Sequence, residues 1–77
     1  MTAEDKELLR RQAYRLTMLG LTVERERNKL RKLVEDGLSL DDPRIVQALG
    51  CFQTADLEWK ALEAEHLRLR QKLGLKT

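Results

Sequence analysis

The most regular hydrophobic pattern in the chain runs from Asp42 to Leu73. Steps of three and four residues, taken alternately, reach nine positions of which eight are apolar: Ile45, Ala48, Phe52, Ala55, Trp59, Leu62, His66, Leu69 and Leu73. This spacing is typical of a helix that packs one narrow face, here called the seam, against another helix. Asp42 and Pro43 provide an N-cap and a first-turn proline, and Gly74 provides a left-handed C-cap. The pattern predicts a helix over residues 43–73, about 46 Å long.

A second apolar pattern occupies the first half of the chain. Leu9, Leu16, Val23 and Leu30 recur every seven residues. Four further apolar residues fill out this pattern: Ala13, Leu19, Leu33 and Val34. Thr2 is placed as an N-cap, with Glu4 and Asp5 in the first turn, where carboxylates suit the positive end of a helix. Because Gly37 ends the pattern, the sequence predicts a first helix over residues 3–36.

Gly20 is the one position that argues against a continuous first helix. A glycine can cap one helix and Thr22 can open another. However, an interior glycine costs a helix only about 1 kcal/mol relative to alanine, and the heptad spacing continues through Gly20 without a change of phase. We therefore predict one helix, with a bend or break at Gly20 as the alternative.

Two long helices joined by a short link, Leu38 to Asp41, predict an all-α, single-domain, antiparallel coiled-coil hairpin. If the chain folds back symmetrically, residues whose numbers sum to about 79 lie opposite each other. This register places Trp59 over Gly20, Ala55 beside Val23, Leu49 near Leu30, and Ile45 near Leu33 and Val34. A large indole facing a glycine provides a packing reason for the glycine.

Several apolar residues lie off the main seam, and two helices alone bury only one stripe each. These residues are Leu8, Met18, Leu19, Leu21, Val46 and Leu57. They suggest that the hairpin pairs with a second copy as a four-helix bundle, or binds another protein. A homo-oligomer, most simply a homodimer, is the expectation.

Composition narrows the possible functions. The chain has 77 residues, 36% of them charged, and its 15 Lys and Arg residues against 13 Asp and Glu give a net charge of +2. The two signs are interspersed, and Arg10, Arg11 and Arg15 spread around a helix, so nucleic-acid binding is the least favoured partner class. We find no signal-peptide pattern and no membrane-length apolar stretch, which leads us to expect a cytoplasmic protein.

The sequence shows no self-contained catalytic apparatus. Cys51 is the single cysteine and His66 the single histidine. On one continuous helix they are separated by about 22 Å, too far for a nucleophile–base pair. We therefore expect Cys51 to be a semi-buried structural residue and His66 to fill a layer of the seam or set its register, and we predict no metal site and no cofactor-binding residues.

Asp56 lies one position past the seam residue Ala55, on the flank of the helix, where Leu49, Glu63 and Arg70 also fall. Flanking carboxylates are commonly solvated or paired with a cation of the facing helix. Arg27 lies one turn from the position opposite Asp56. From the residues alone, we predict an Asp56–Arg27 ion pair.

Four features between Val23 and Leu62 bear on function. They are the run Arg27-x-x-Leu30-x-x-Leu33, Gly37 before a short turn, the opening Asp42-Pro43-x-Ile45-Val46, and the segment Phe52-Gln53-Thr54-Ala55-Asp56. This region resembles the small sporulation-regulator aspartyl-phosphate phosphatases, helical hairpins that act on response regulators. The family's signature there reads Ser-Gln-Glu-Leu-Asp and ends in the functional aspartate, so this chain keeps the glutamine and the aspartate and lacks the serine and the leucine. The alignment also requires a short insertion after the turn; without it, Gln53 takes the place of the aspartate.

The resemblance implies a phosphatase acting on a phosphorylated receiver domain. Asp56, with Gln53, would orient a water molecule for attack on the acyl phosphate, and the metal ion would belong to the regulator, so that the hairpin needs no cofactor of its own. The alternative is a non-catalytic coiled-coil module that dimerises or acts as an adaptor for another protein.

Overall fold

The protein consists of two long helices joined by a short connection, and the computed structural model describes residues 1–75. Helix α1 spans Ala3–Glu35 and helix α2 spans Pro43–Lys72. They lie against each other along their length in a particle of 52 × 17 × 15 Å. The predicted all-α hairpin is confirmed, and both helices end within one residue of their predicted limits.

Local hydrogen bonds explain where each helix begins. At α1, the Thr2 hydroxyl accepts a bond from the Asp5 backbone N–H, and the Asp5 carboxylate accepts one from the Thr2 N–H, both at 3.1 Å. This reciprocal capping box satisfies two otherwise unpaired donors. At α2, the Asp42 carboxylate accepts a bond from the Arg44 N–H at 2.9 Å, and Pro43 occupies the first helical position.

Both helices end in the same kind of cap. Gly37 and Gly74 adopt left-handed conformations, with φ of 86° and 75°. In each case the glycine N–H and the following N–H donate back to carbonyls of the last helical turn. These paired bonds form a Schellman motif, which requires a residue that tolerates positive φ. The predicted roles of Gly37 and Gly74 are confirmed.

Helix α1 is continuous through Gly20, which excludes the predicted alternative of a break. A Cβ atom built on Gly20 would lie 3.3 Å from Nε1 of Trp59. The indole N–H donates a 3.1 Å hydrogen bond to the carbonyl oxygen of Leu16. The predicted Trp59–Gly20 layer is therefore present, and the missing side chain is what lets the indole reach the backbone of α1.

The seam of α2 is as predicted, because all nine of its positions are buried or half-buried. The seam of α1 differs from the prediction. Ala13 and Val34 are exposed, and the 3-4 repeat from Leu9 instead passes through Gln12 and Glu26, which are both half-buried. The prediction counted only apolar residues, and it therefore missed these two positions, whose side chains are polar.

The hydrogen bond between His66 Nδ1 and Gln12 Oε1, 2.8 Å long, fixes how the two seams align. The numbers of these two residues sum to 78, in agreement with the predicted register of about 79. Leu49, which was predicted to lie near Leu30, is 40% exposed. His66 lies in the seam as predicted, and Gln12 is its partner.

The hairpin buries little of itself. Among the described residues only Val23, Ile45, Ala55 and Leu62 are buried, and no large side chain there is fully buried. Of the apolar residues predicted to lie off the main seam, Leu19 is half-buried and the other five are exposed. Within residues 1–75, neither helix contains a stretch long and apolar enough to cross a membrane.

Candidate functional site

Asp56 lies near the middle of α2, one position past the buried Ala55 and one turn before Trp59. Its side chain is 26% exposed, and its carboxylate pairs with Lys60 Nζ at 2.8 Å, one turn further along the same helix. A cation four residues after a carboxylate is on the same side of a helix and within reach of it. The ammonium group therefore holds the carboxylate at the edge of the seam, where solvent can reach it.

The predicted Asp56–Arg27 ion pair is wrong. Arg27 pairs with Glu24 at 3.4 Å, on its own helix, and both side chains are more than half exposed. Each of the two charges has a partner one turn away, which needs no particular alignment between helices. Asp56 consequently forms no ion pair that links α2 to α1.

Gln53 lies three residues before Asp56 and is exposed. Side chains three residues apart on a helix are neighbours, with Cβ atoms about 5–6 Å apart. Within the described part of the chain the Gln53 amide forms no hydrogen bond, and the residue is exposed. The structure thus brings the two predicted site residues together on one helix surface.

We define the Asp56 face as the side of the hairpin formed by the flank positions next to Asp56. On α2 these positions are held by Leu49, Asp56, Glu63 and Arg70, and on α1 they include Gly20 and Arg27. In an antiparallel pair, equivalent flanks of the two helices lie on the same side. The face therefore presents charged groups of both signs around the Trp59–Gly20 layer.

The backbone beneath the Asp56 face is held firmly. Trp59 is tied to Leu16 by its indole hydrogen bond and packs against Gly20. Ala55 is buried directly beside Asp56. A polar group on a packed helix keeps a defined position relative to a surface that docks against it, which is the condition for orienting a water molecule.

The structure keeps Cys51 and His66 apart, as predicted for a continuous helix. Cys51 is exposed, not semi-buried as expected. His66 is half-buried and engaged with Gln12. A cluster of three or more His, Cys, Asp or Glu side chains able to hold a metal ion is not found among residues 1–75.

A second surface, which the sequence analysis did not single out, lies on the opposite side of the hairpin. The flank positions there are held by Arg15, Thr22 and Lys29 of α1 and by Cys51, Glu58 and Glu65 of α2. Three contiguous hollows run along this side between the helices. We call it the groove face. The heptad positions that flank the two seams on this side were the signal that could have found it.

Comparison of the chain with protein-family models, with curated proteins and with solved structures finds no match.

Proposed function

We propose that this protein is a small regulatory hairpin that binds the receiver domain of a response regulator through its Asp56 face and hydrolyses the aspartyl phosphate there. The observation that carries the proposal is that Asp56 has no role in joining the helices. Its ion pair with Lys60 lies within α2, and exposed pairs of this kind contribute about 0.3–0.5 kcal/mol. A part-exposed carboxylate on a firmly packed helix is suited to act on a partner.

In this reaction a water molecule attacks the phosphorus atom, and the bond from phosphorus to the regulator's carboxylate oxygen breaks. Inorganic phosphate and a free aspartate are the products. Asp56 would accept a hydrogen bond from the attacking water and aim its oxygen at phosphorus, while the Gln53 amide would donate to a phosphoryl oxygen or to the same water. Positioning of this kind supplies most of the catalysis in phosphoryl transfer.

Two further expectations belong to this proposal. The metal ion that neutralises the acyl phosphate would be held by the receiver domain, so that the hairpin requires no cofactor of its own. Because its substrate would be an intracellular signalling domain, the protein would act in the cytoplasm. The resemblance of Asp42-Pro43-x-Ile45-Val46 and of Gln53 and Asp56 to the sporulation-regulator phosphatases supports this substrate class.

The test is dephosphorylation of a panel of phosphorylated receiver domains by the wild-type protein and by Asp56→Ala. Glu65→Ala is the control, because Glu65 is a carboxylate on the same helix but on the groove face, outside the Asp56 face. We expect turnover by wild type and by Glu65→Ala, and its loss in Asp56→Ala, with helix content and unfolding unchanged in all three. Removing the Asp56 carboxylate should alter the free energy of unfolding by about 0.5 kcal/mol or less.

A non-catalytic adaptor is the second candidate, and a different observation favours it. Large apolar side chains are exposed outside the seams, among them Tyr14, Leu21 and Leu57, at 66%, 56% and 67%. Exposed apolar surface is commonly an interaction site. Binding to a receiver domain without turnover, or equal turnover by wild type and Asp56→Ala, would contradict the phosphatase proposal and leave the adaptor.

A further inference from the structure

The groove face contains a continuous channel between the two helices. Its three hollows share lining residues: the first two share Leu19, Thr22 and Glu58, and the second and third share Glu26, Gln47 and Cys51. The channel therefore extends from the region of Tyr14 and Glu65 to the region of Asp36 and Arg44, near the connection. It lies on the opposite flank from Asp56, so whatever fills it leaves the Asp56 face free.

The accessible surface of the hairpin shows that it leaves room for a partner. Its area is 5991 Å², whereas a folded monomer of 9.0 kDa is expected to expose about 4,900 Å². The difference of roughly 1,100 Å² exceeds the ~800 Å² that each partner contributes to a standard protein interface. A contact of ordinary size would thus bring the exposure of this chain to the level of a compact protein.

The charges along the groove face are arranged with opposite signs at its two ends. Glu58 and Glu65 line the end near the free termini, together with Arg15. At the other end, Lys29, Lys32 and Arg44 outnumber Glu26 and Asp36; Lys29 pairs with Glu26 at 3.6 Å, and Arg44 pairs with Asp42 at 3.2 Å. A second hairpin placed over the groove with its long axis reversed would set each acidic end over a basic end. In this orientation opposite charges face each other across the interface. In the parallel orientation like charges would face each other and repel.

Five of the nine residues that line the central hollow are small: Gly50, Cys51, Thr54, Ala55 and Thr22. The other four are Leu19, Glu26, Gln47 and Glu58. Small residues allow two helical layers to approach to the 8–10 Å spacing of packed helices. Larger apolar groups, including Met18 at 47% exposure, lie towards the acidic end. Met18 and its neighbours would then supply the apolar contact, and the small central residues would let the backbones come close.

We propose that a second copy of this chain docks on the groove face with its long axis antiparallel, forming a four-helix bundle. Each hairpin contributes the same surface, so the interface is closed and isologous. The dimer covers the channel and leaves both Asp56 faces on the outside. It does not depend on the phosphatase reaction, because the two surfaces lie on opposite flanks.

The first test measures the mass of the protein by sedimentation equilibrium from about 1 µM to about 1 mM. We expect a concentration-dependent monomer–dimer equilibrium for wild type. Met18→Arg, on the groove face, should raise the midpoint concentration at least about tenfold, because the guanidinium would be buried in the interface. Leu21→Arg is the matched control, since Leu21 is 56% exposed on the outer surface of α1, and it should dimerise as wild type does.

A second test addresses the antiparallel orientation. Glu58→Lys with Glu65→Lys makes both ends of the groove basic, and Lys29→Glu with Lys32→Glu makes both ends acidic. Each double variant should dimerise at least about tenfold more weakly than wild type, and an equal mixture of the two should restore the dimer. Circular dichroism on each variant verifies that the helices remain formed.

A monomer at every concentration overturns the proposal, as does a Leu21→Arg protein that loses the dimer while Met18→Arg keeps it. Charge variants that fail to rescue each other overturn the antiparallel arrangement. Asp56→Ala should dimerise as wild type does, which separates this proposal from the phosphatase: loss of turnover without loss of the dimer bears only on the Asp56 face.

Discussion

The two faces of the hairpin share one seam but differ in what fills the space beside it. On the Asp56 face, the Trp59 indole reaches across to Gly20 and bonds to the backbone of α1. On the groove face, small side chains such as Thr22 and Cys51 leave the gap between the helices open. The Trp59 indole, packed against Gly20, therefore decides which side is closed. The closed side can hold the Asp56 carboxylate in place, and the open side can pack against the surface of another protein chain.

The largest effect on this contrast should come from removing the indole. Trp59→Ala should lower the free energy of unfolding by about 3 kcal/mol, because it removes the largest side chain of the seam and its hydrogen bond to Leu16. A chain of this size is stabilised by about 4–12 kcal/mol in total. Urea denaturation measures the loss. Leu57→Ala, at a 67% exposed position, is the control and should change stability by about 0.5 kcal/mol or less.

The same substitution should open the Asp56 face. With the indole gone, both sides of the seam would be hollow, and an apolar dye should bind Trp59→Ala on the flank that wild type closes. A Trp59→Ala protein as stable as wild type would show that the indole is not what closes this side.

A smaller and more specific effect is expected from the two helical glycines. Gly50→Ala should stabilise α2 by about 1 kcal/mol, since alanine is the better helix former and an added Cβ atom there meets nothing within 4 Å. Gly20→Ala gains the same propensity but places its Cβ atom 3.3 Å from Trp59 Nε1, which pushes the indole away from Leu16.

The two alanine variants should therefore differ in their free energies of unfolding by about 1 kcal/mol, with Gly20→Ala the less stable. Thermal denaturation at a concentration below that of dimer formation measures the difference. Tryptophan fluorescence should shift in Gly20→Ala and remain as in wild type in Gly50→Ala. Equal stabilisation by both substitutions would mean that the indole adjusts freely to an added Cβ atom. The close contact with Trp59 would then not explain why a glycine lies at position 20.

Most of the fold could be predicted because the two apolar repeats are long and both ends of each helix carry cap residues. The continuity of α1 through Gly20 followed from the unchanged heptad phase. Gln12 and Glu26 were missed, although they belong to the same repeat, because periodicity was counted over apolar residues. The hydrogen bond of Gln12 with His66 on the other helix is a contact that a count of apolar positions does not show.

The sequence predicted where Asp56 lies on its helix but not which residue it pairs with. The position of Asp56 follows from its step past Ala55, whereas its ion-pair partner depends on which cation is nearer. Lys60, four residues away on the same helix, is within reach whatever the alignment of the helices, and it pairs with Asp56 in place of Arg27. The openness of the groove face depends on side-chain volumes on both helices at once, which a pattern of polar and apolar positions does not contain.

The smallest expected effect lies outside both faces, in the exposed charges near the start of α1. Hydrogen bonds from Arg10, and secondarily from Arg11, lower the pKa of Glu7 from 4.5 to about 2. A carboxyl whose pKa is lowered in the folded state stabilises the fold above its unfolded pKa, and this contribution is lost as the pH falls through the folded value. Thermal unfolding temperatures should therefore decrease between about pH 4.5 and pH 2.

Glu7→Gln should flatten this pH dependence slightly, by less than the change produced by Gly50→Ala, because both arginine side chains are more than two-thirds exposed and water screens the pairs. Glu63→Gln is the control, since the Glu63 carboxylate forms no ion pair within residues 1–75, and its acid dependence should match that of wild type. A large effect of Glu7→Gln would contradict the view that charges on the outer surface contribute little to stability beside the Trp59 layer. The stability of the hairpin would then depend on these exposed charges as well as on what fills its two faces.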